Sequence, residues 1–153
     1  MRVLETWLRE PLGRFLDESA ARLVLVMTAS GQVVAQHGFT RSVDVMSAAA
    51  LGAGIMASTG EIARLMGSPR FGALVHQGAE QGMFLAGFDT PRGRWIGLVV
   101  FGPETSVGLV QLFFHQFVDE IAAATPPEQP RGPVLAENFE HELNASLRAL
   151  FGR

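Results

Sequence analysis

Residues Gly52-Ala53-Gly54-Ile55-Met56-Ala57 spell G-x-G-x-x-A, the pattern with which a backbone turn cradles a dinucleotide pyrophosphate at a helix N-terminus. That chemistry needs a buried strand before the glycines and an acidic side chain about twenty residues beyond them to hold a ribose. Neither is in place. Ser47-Ala48-Ala49-Ala50-Leu51 favours helix over strand, and the position where the acid should fall lies in Phe71-Gly72-Ala73. His141-Glu142 opens like the zinc motif H-E-x-x-H, but Ala145 stands where the second histidine belongs, and His37, His76 and His115 are far apart in sequence. No serine lies in a G-x-S-x-G elbow, and the chain has no lysine, which removes Schiff-base and phosphate-loop chemistry together. No cofactor and no metal are expected, and no catalytic residue can be named. The chain reads as a binding or regulatory module, not as an enzyme in itself.

The elements that carry these residues follow from pattern. Glu10-Pro11 marks a helix start, with Leu12, Phe15 and Leu16 as its apolar stripe and Leu4, Trp7 and Leu8 as an extra turn before it. RLVLVMTASGQVVAQHG, from Arg22, is two β-rich runs around Ser30-Gly31, a hairpin. Residues 44–67 are long and poor in β-branched side chains, with Ser42 or Asp44 as N-cap and Gly67-Ser68-Pro69 as the stop, so one long helix is expected. FGALVHQG, GMFLAGFD and RWIGLVVFG are separated by turns too short for a parallel crossover and form an antiparallel meander. Val107, Val110, Leu112, Phe114, Phe117, Val118 and Ile121 recur at helical spacing. A proline-rich stretch follows as a semi-rigid spacer, and then a helical pattern with Phe139, Leu143, Leu147, Leu150 and Phe151 on one face. The organisation is a domain over residues 1–124, a linker over 125–134 and an amphipathic tail helix over 135–153. The fold class is α+β, a sandwich-like α-ββ-α-βββ-α unit: a five-stranded antiparallel sheet with the long central helix on one face.

On that central helix, Ala48, Leu51, Ile55, Ile62 and Leu65 share a face and are expected to cover the sheet. A second face carries Ala49, Ala50, Ala53, Ala57 and Gly60, nearly all of them tiny. Each helical glycine costs about 1 kcal/mol relative to alanine. Close packing of two helix backbones across small residues would offset that cost. A homodimer about a two-fold axis supplies such packing; another helix of the same chain is the alternative.

Composition excludes several classes. A formal charge of −3, a pI near 5.8 and scattered arginines leave no basic patch for phosphates, so nucleic acid is not an expected partner. There is no cysteine, which suits a reducing cytosol. The N-terminal stretch MRVLETWLREPLGRF has no uninterrupted apolar run of the signal-peptide type, and no segment of about 20 residues is free of polar groups. A cytoplasmic protein without membrane insertion is expected.

The order of elements and the small-residue central helix resemble the roadblock (dynein light chain) family. RLVLVMTASGQVV looks like that family's opening hairpin, and FGALVHQGAEQGMFLAGF with WIGLVVFGPETSVGLVQLFF is similar to the bacterial MglB group, in which the corresponding strand also ends in Val-His-Gln-Gly. The likeness spans roughly residues 11–124 and weakly the tail helix. It implies a homodimer in which the central helices pair and two sheets join through the strand at 71–77, with Met46, Ala49, Ala50, Ala53, Ala57, Gly60, Phe71, Ala73 and Val75 at the interface. It implies as partner a small Ras-family GTPase of the MglA type, whose GTP hydrolysis the dimer stimulates and whose nucleotide exchange it also affects, in bacterial cell polarity and gliding motility. Contact with the GTPase is then expected at Phe39, Arg41, Met46 and Arg64 and at the tail face Phe139, Leu143, Leu147 and Leu150. In the family the activator inserts no arginine finger; it orders the GTPase's own catalytic residues. The alternative is a scaffold that recruits a GTPase or another partner without changing hydrolysis.

Overall fold

The computed structural model describes residues 1–41, 43–126 and 143–150. In chain order the elements are β1 (Arg2–Val3), a 3-10 turn (Thr6–Leu8), α1 (Arg9–Ser19), β2 (Leu23–Thr28), β3 (Val33–Gly38), α2 (Val45–Leu65), β4 (Ala73–Gln77), β5 (Gly82–Thr90), β6 (Gly93–Phe101) and α3 (Val107–Ala124). Residues 143–150 are helical. The strands form one antiparallel sheet in the order β1-β3-β2-β6-β5-β4.

The sheet has six strands rather than the five expected. The extra one is β1, which pairs Arg2 with Gln36 and Val3 with Ala35. Two residues are too few to produce the alternation by which a strand is recognised in sequence.

Both faces of the sheet are covered, which is why β2 reads as a continuous apolar run rather than an alternating one. Leu23, Leu25, Met27, Leu85, Ile96 and Leu98 face α2, while Val24, Val26, Phe84, Phe88, Trp95 and Val99 face α1 and α3. The second face holds an aromatic cluster. Phe114 meets Phe84 and Phe88 edge-on, at ring-centroid separations of 5.2 and 5.6 Å, the geometry that ring quadrupoles favour. Gly97 makes room for it: a Cβ there would run into the Phe114 ring.

Local signals fix the helices. Asp44 caps α2 by accepting from the Ser47 N–H at 3.1 Å, and Ser106 caps α3 by accepting from the Leu109 N–H at 3.3 Å. Of the two expected N-caps, Asp44 fills the role; Ser42 lies outside the described residues, as do the linker from residue 127 onward, His141-Glu142, Phe139 and Phe151.

Candidate interaction site

The central helix meets the sheet only partly as expected: Ala48 and Ile55 pack against it, together with Met56. Its fully buried residues are small, Ala49, Gly52, Ala53 and Ala63, and a Cβ on Gly52 would stand 3.3 Å from a Leu98 methyl and 3.5 Å from the Met27 sulfur. Leu51, Ile62 and Leu65, expected to cover the sheet, instead point outward and are 69%, 49% and 76% exposed. Ala49 and Ala53, expected at a dimer interface, are therefore core residues of the single chain. The physical reason is distance: tiny side chains let the α2 backbone settle close onto a sheet whose own Leu25, Met27, Leu85 and Leu98 fill the space. A larger side chain on that face would lift the helix.

What remains outside is an apolar helix face. Met46, Leu51, Ile62 and Leu65 project from α2, with Ala50, Gly54 and Ala57 between them. By length and composition alone α2 would suit a membrane crossing. Its Ala and Gly face is engaged with the sheet, however, so it serves as a layer of this domain, and the outer face has no partner among the described residues. Large exposed apolar side chains gathered on one side of a helix, here with Ser47, Ser58 and Glu61 among them, mark a candidate interaction site.

Two grooves flank the helix. Along its N-terminal half, a cavity of about 810 Å³ is lined by Phe39, Val43, Leu51, Ile55, Met83 and Val100. Arg22 and Glu104 close its rim with a two-pronged ion pair at 2.8 and 3.1 Å. The hydrogen bonds from Arg22, then one from its own backbone, hold the Glu104 carboxyl below the usual carboxylate range. Along the C-terminal half, a cavity of about 510 Å³ is lined by Met56, Thr59, Phe71 and Ile96 together with arginines.

Beside the helix runs a free sheet edge. Among the described residues β4 pairs only with β5, and most of its residues are exposed. An unpaired edge strand offers a row of N–H and C=O groups to another chain. Phe71, just before β4, and Val75 within it are each nearly two-fifths exposed.

The residues expected to meet a GTPase fall on more than one surface. Phe39 is 81% exposed at the mouth of the larger groove, and Met46 is 79% exposed at the start of α2. Arg41 is exposed in the loop leading into α2. Arg64 lies at the far end of the helix, on the rim of the smaller groove, and donates to Glu61 at 2.6 Å, a solvent-exposed pair that contributes little to stability. Leu143, Leu147 and Leu150 are exposed on the helix 143–150. Sequence reasoning missed that Leu51, Ile62 and Leu65 are exposed. The signal was present: Ser47, Ser58 and Glu61 project from the same side of α2 as Leu51 and Leu65, whereas the positions 49, 52, 56 and 63 carry no polar group.

The arrangement as a whole is similar to that of known proteins. MglB from Myxococcus xanthus superposes with a TM-score of 0.71 at 28% identity, covering 78% of this chain and 95% of that one. An MglB in a tetrameric arrangement superposes with a TM-score of 0.70 at 26% identity, covering 80% and 93%. A Roadblock/LC7 domain from Streptomyces avermitilis matches with a TM-score of 0.57 at 16% identity over 66% and 82%, a likeness of fold alone. No protein-family model and no curated protein matches the sequence. The chain has the roadblock fold and is MglB-like in it.

Proposed function

We propose that this chain is a homodimeric regulator of a small Ras-like GTPase of the MglA type, which it binds and whose GTP hydrolysis it stimulates. The observation that carries the reading is the unpartnered apolar face of α2 beside the unpaired edge of β4, on an MglB-like fold. Two copies related by a two-fold axis would bury Leu51, Ile62 and Leu65 against their counterparts. Edge-to-edge pairing of β4 with its copy would satisfy the free ladder groups and extend the sheet. Met46, Ala50, Ala57, Gly60, Phe71, Ala73 and Val75 belong to that interface.

The dimer offers the GTPase a platform made from α2 and its entry loop, with Phe39, Arg41, Met46 and Arg64 as contacts, and a tail face made from Phe139, Leu143, Leu147 and Leu150. The domain ends near residue 124, and the tail follows its proline-rich linker. No catalytic motif is read in the sequence, so in this proposal stimulation comes from ordering the GTPase's catalytic groups around developing charge. An influence on nucleotide exchange would come through the tail. The setting is the cytoplasm of a bacterium, in cell polarity or gliding motility.

The test is the solution mass of the protein mixed with an MglA-type GTPase loaded with a non-hydrolysable GTP analogue. A mass equal to two copies of this chain and one GTPase supports the proposal. A mass showing a single copy per GTPase removes the dimeric platform, and failure to form a complex removes the partner.

A further inference from the structure

We infer that residues 2–7 are a displaceable strap, and that the ground they cover, the β3 edge with Arg92 and Trp95, is a docking site for an extended segment of a partner protein. That segment carries an apolar residue, an acid and an aromatic residue at alternate positions. β1 lies at the opposite end of the sheet from β4, so this surface stays free when two copies pair through α2 and β4. The inference does not depend on the GTPase reading.

The strap is held as a peptide ligand would be. Arg2, Leu4 and Thr6 are exposed, while Val3, Glu5 and Trp7, the alternate residues, are half-buried. Val3 and Trp7 pack against the core on the α1 and α3 side of the sheet. The Trp7 ring stacks on Trp95 with 6.2 Å between centroids, and Glu5 accepts from the Arg92 guanidinium at 2.6 Å. The main chain supplies the rest: Arg2 pairs with Gln36, Val3 with Ala35, and the Leu4 N–H donates to the Val34 carbonyl at 2.9 Å. Main-chain bonds for affinity and pockets for alternate side chains are the means by which an added strand is recognised. The turn between β5 and β6 fixes Arg92, whose N–H donates to the Thr90 hydroxyl at 3.1 Å while that hydroxyl donates to the Gly93 carbonyl at 2.6 Å.

Two observations make the strap a replaceable occupant. Its strand pairs two of the six residues of β3, and the 3-10 turn that follows has no side-chain cap. More telling, the Arg92 Nε is buried without a hydrogen-bond partner among the described residues. One oxygen of Glu5 meets an Nη of Arg92, and the other is taken by the Trp7 indole N–H at 2.5 Å. A carboxylate approaching the guanidinium side-on would take Nε and Nη together, a bond that the strap leaves unmade. A short edge strand also protects a sheet against stray pairing; the unbonded Nε is what that role does not explain.

The test uses the full chain with Glu5→Ala and Trp7→Ala, which loosen the strap, and a cooperative thermal melt confirms that the variant is folded. The probe is a fluorescein-labelled peptide with the sequence of residues 1–7, Met-Arg-Val-Leu-Glu-Thr-Trp, followed by anisotropy. The expected result is binding about tenfold or more tighter to the variant than to the wild type, whose own strap competes at high effective concentration. Adding Arg92→Ala to the protein, or replacing Glu by Ala in the peptide, should undo the gain. Hydrogen exchange on the wild-type chain needs no substitution: the Leu4 amide should exchange about 100-fold or more faster than the amides of β2, as a strap that opens without global unfolding requires. Equal affinity for the two proteins, indifference to Arg92→Ala, or a Leu4 amide as protected as β2 would overturn the inference. The chain has no cysteine, and Arg2 and Gln36 are cross-strand partners. A disulfide between an Arg2→Cys chain and a Gln36→Cys chain would therefore overturn the choice of partner in favour of a second copy.

Discussion

Truncating Leu51 separates an interaction face from a merely exposed one. Its side chain is 69% exposed in the single chain, and burying a leucine fully is worth roughly 1.5–3 kcal/mol. Covering the exposed two-thirds therefore contributes about 1–2 kcal/mol per copy. A two-fold interface counts the residue twice, about 2–4 kcal/mol, so Leu51→Ala should weaken the dimer by roughly 30- to 1,000-fold. The folded single chain should hardly notice, because an exposed helical Leu→Ala exchange is close to neutral. Sedimentation equilibrium over a range of concentrations gives the dissociation constant, and a thermal melt of the monomeric variant checks the fold. An unchanged dissociation constant, or a wild-type chain that is monomeric at tens of micromolar, would refute the reasoning.

Gly97→Ala places a Cβ inside the Phe114 ring and should cost about 1–3 kcal/mol through overpacking, read as a lowered urea midpoint with an unchanged slope. His37 sits on β3 with its Nδ1 buried and unbonded among the described residues. Desolvation, then the nearby amino terminus, push its pKa below the ordinary value, and Asp17 opposes them. A histidine with a depressed folded pKa binds fewer protons folded than unfolded, so its contribution is intact above pH ~6.5 and is lost as pH falls through the folded value. Urea midpoints at pH 7.5 and 5.5 should differ in that direction, and His37→Gln should reduce the difference. Deleting residues 126–153 should leave a light-scattering mass equal to two truncated chains while weakening control of the GTPase; a monomeric truncation product would contradict the placement of the interface on α2 and β4.

The hairpin, the meander and the helices were legible because each carries a strong local signal: short continuous apolar runs bounded by turn residues, apolar spacing near 3.6, and caps at Asp44 and Ser106. β1 was not, because its two residues carry no period and it exists only through pairing with β3. The dinucleotide pattern was correctly set aside, since Gly52 lies within α2 pressed against Leu98 and Met27 rather than in a phosphate turn. The orientation of α2 was misread in part, for a tertiary reason. Hydrophobicity predicts that large residues go inward, and Ile55 does pack against the sheet, but the sheet already supplies the bulk at the centre of the contact, where Ala49, Gly52, Ala53 and Ala63 are the residues fully buried. Packing complementarity between two elements is not a property of either one's sequence alone. The exposed leucines left over are consequently a better guide to the interaction face than the small residues that first suggested it.

The most direct test of the proposed function is single-turnover GTP hydrolysis by an MglA-type GTPase, with and without an excess of this protein, and with Leu51→Asp in place of the wild type. The account predicts acceleration of one or more orders of magnitude by the wild-type dimer and its loss with Leu51→Asp. Hydrolysis at the unassisted rate, in a complex that survives gel filtration, would contradict the regulator and leave a scaffold.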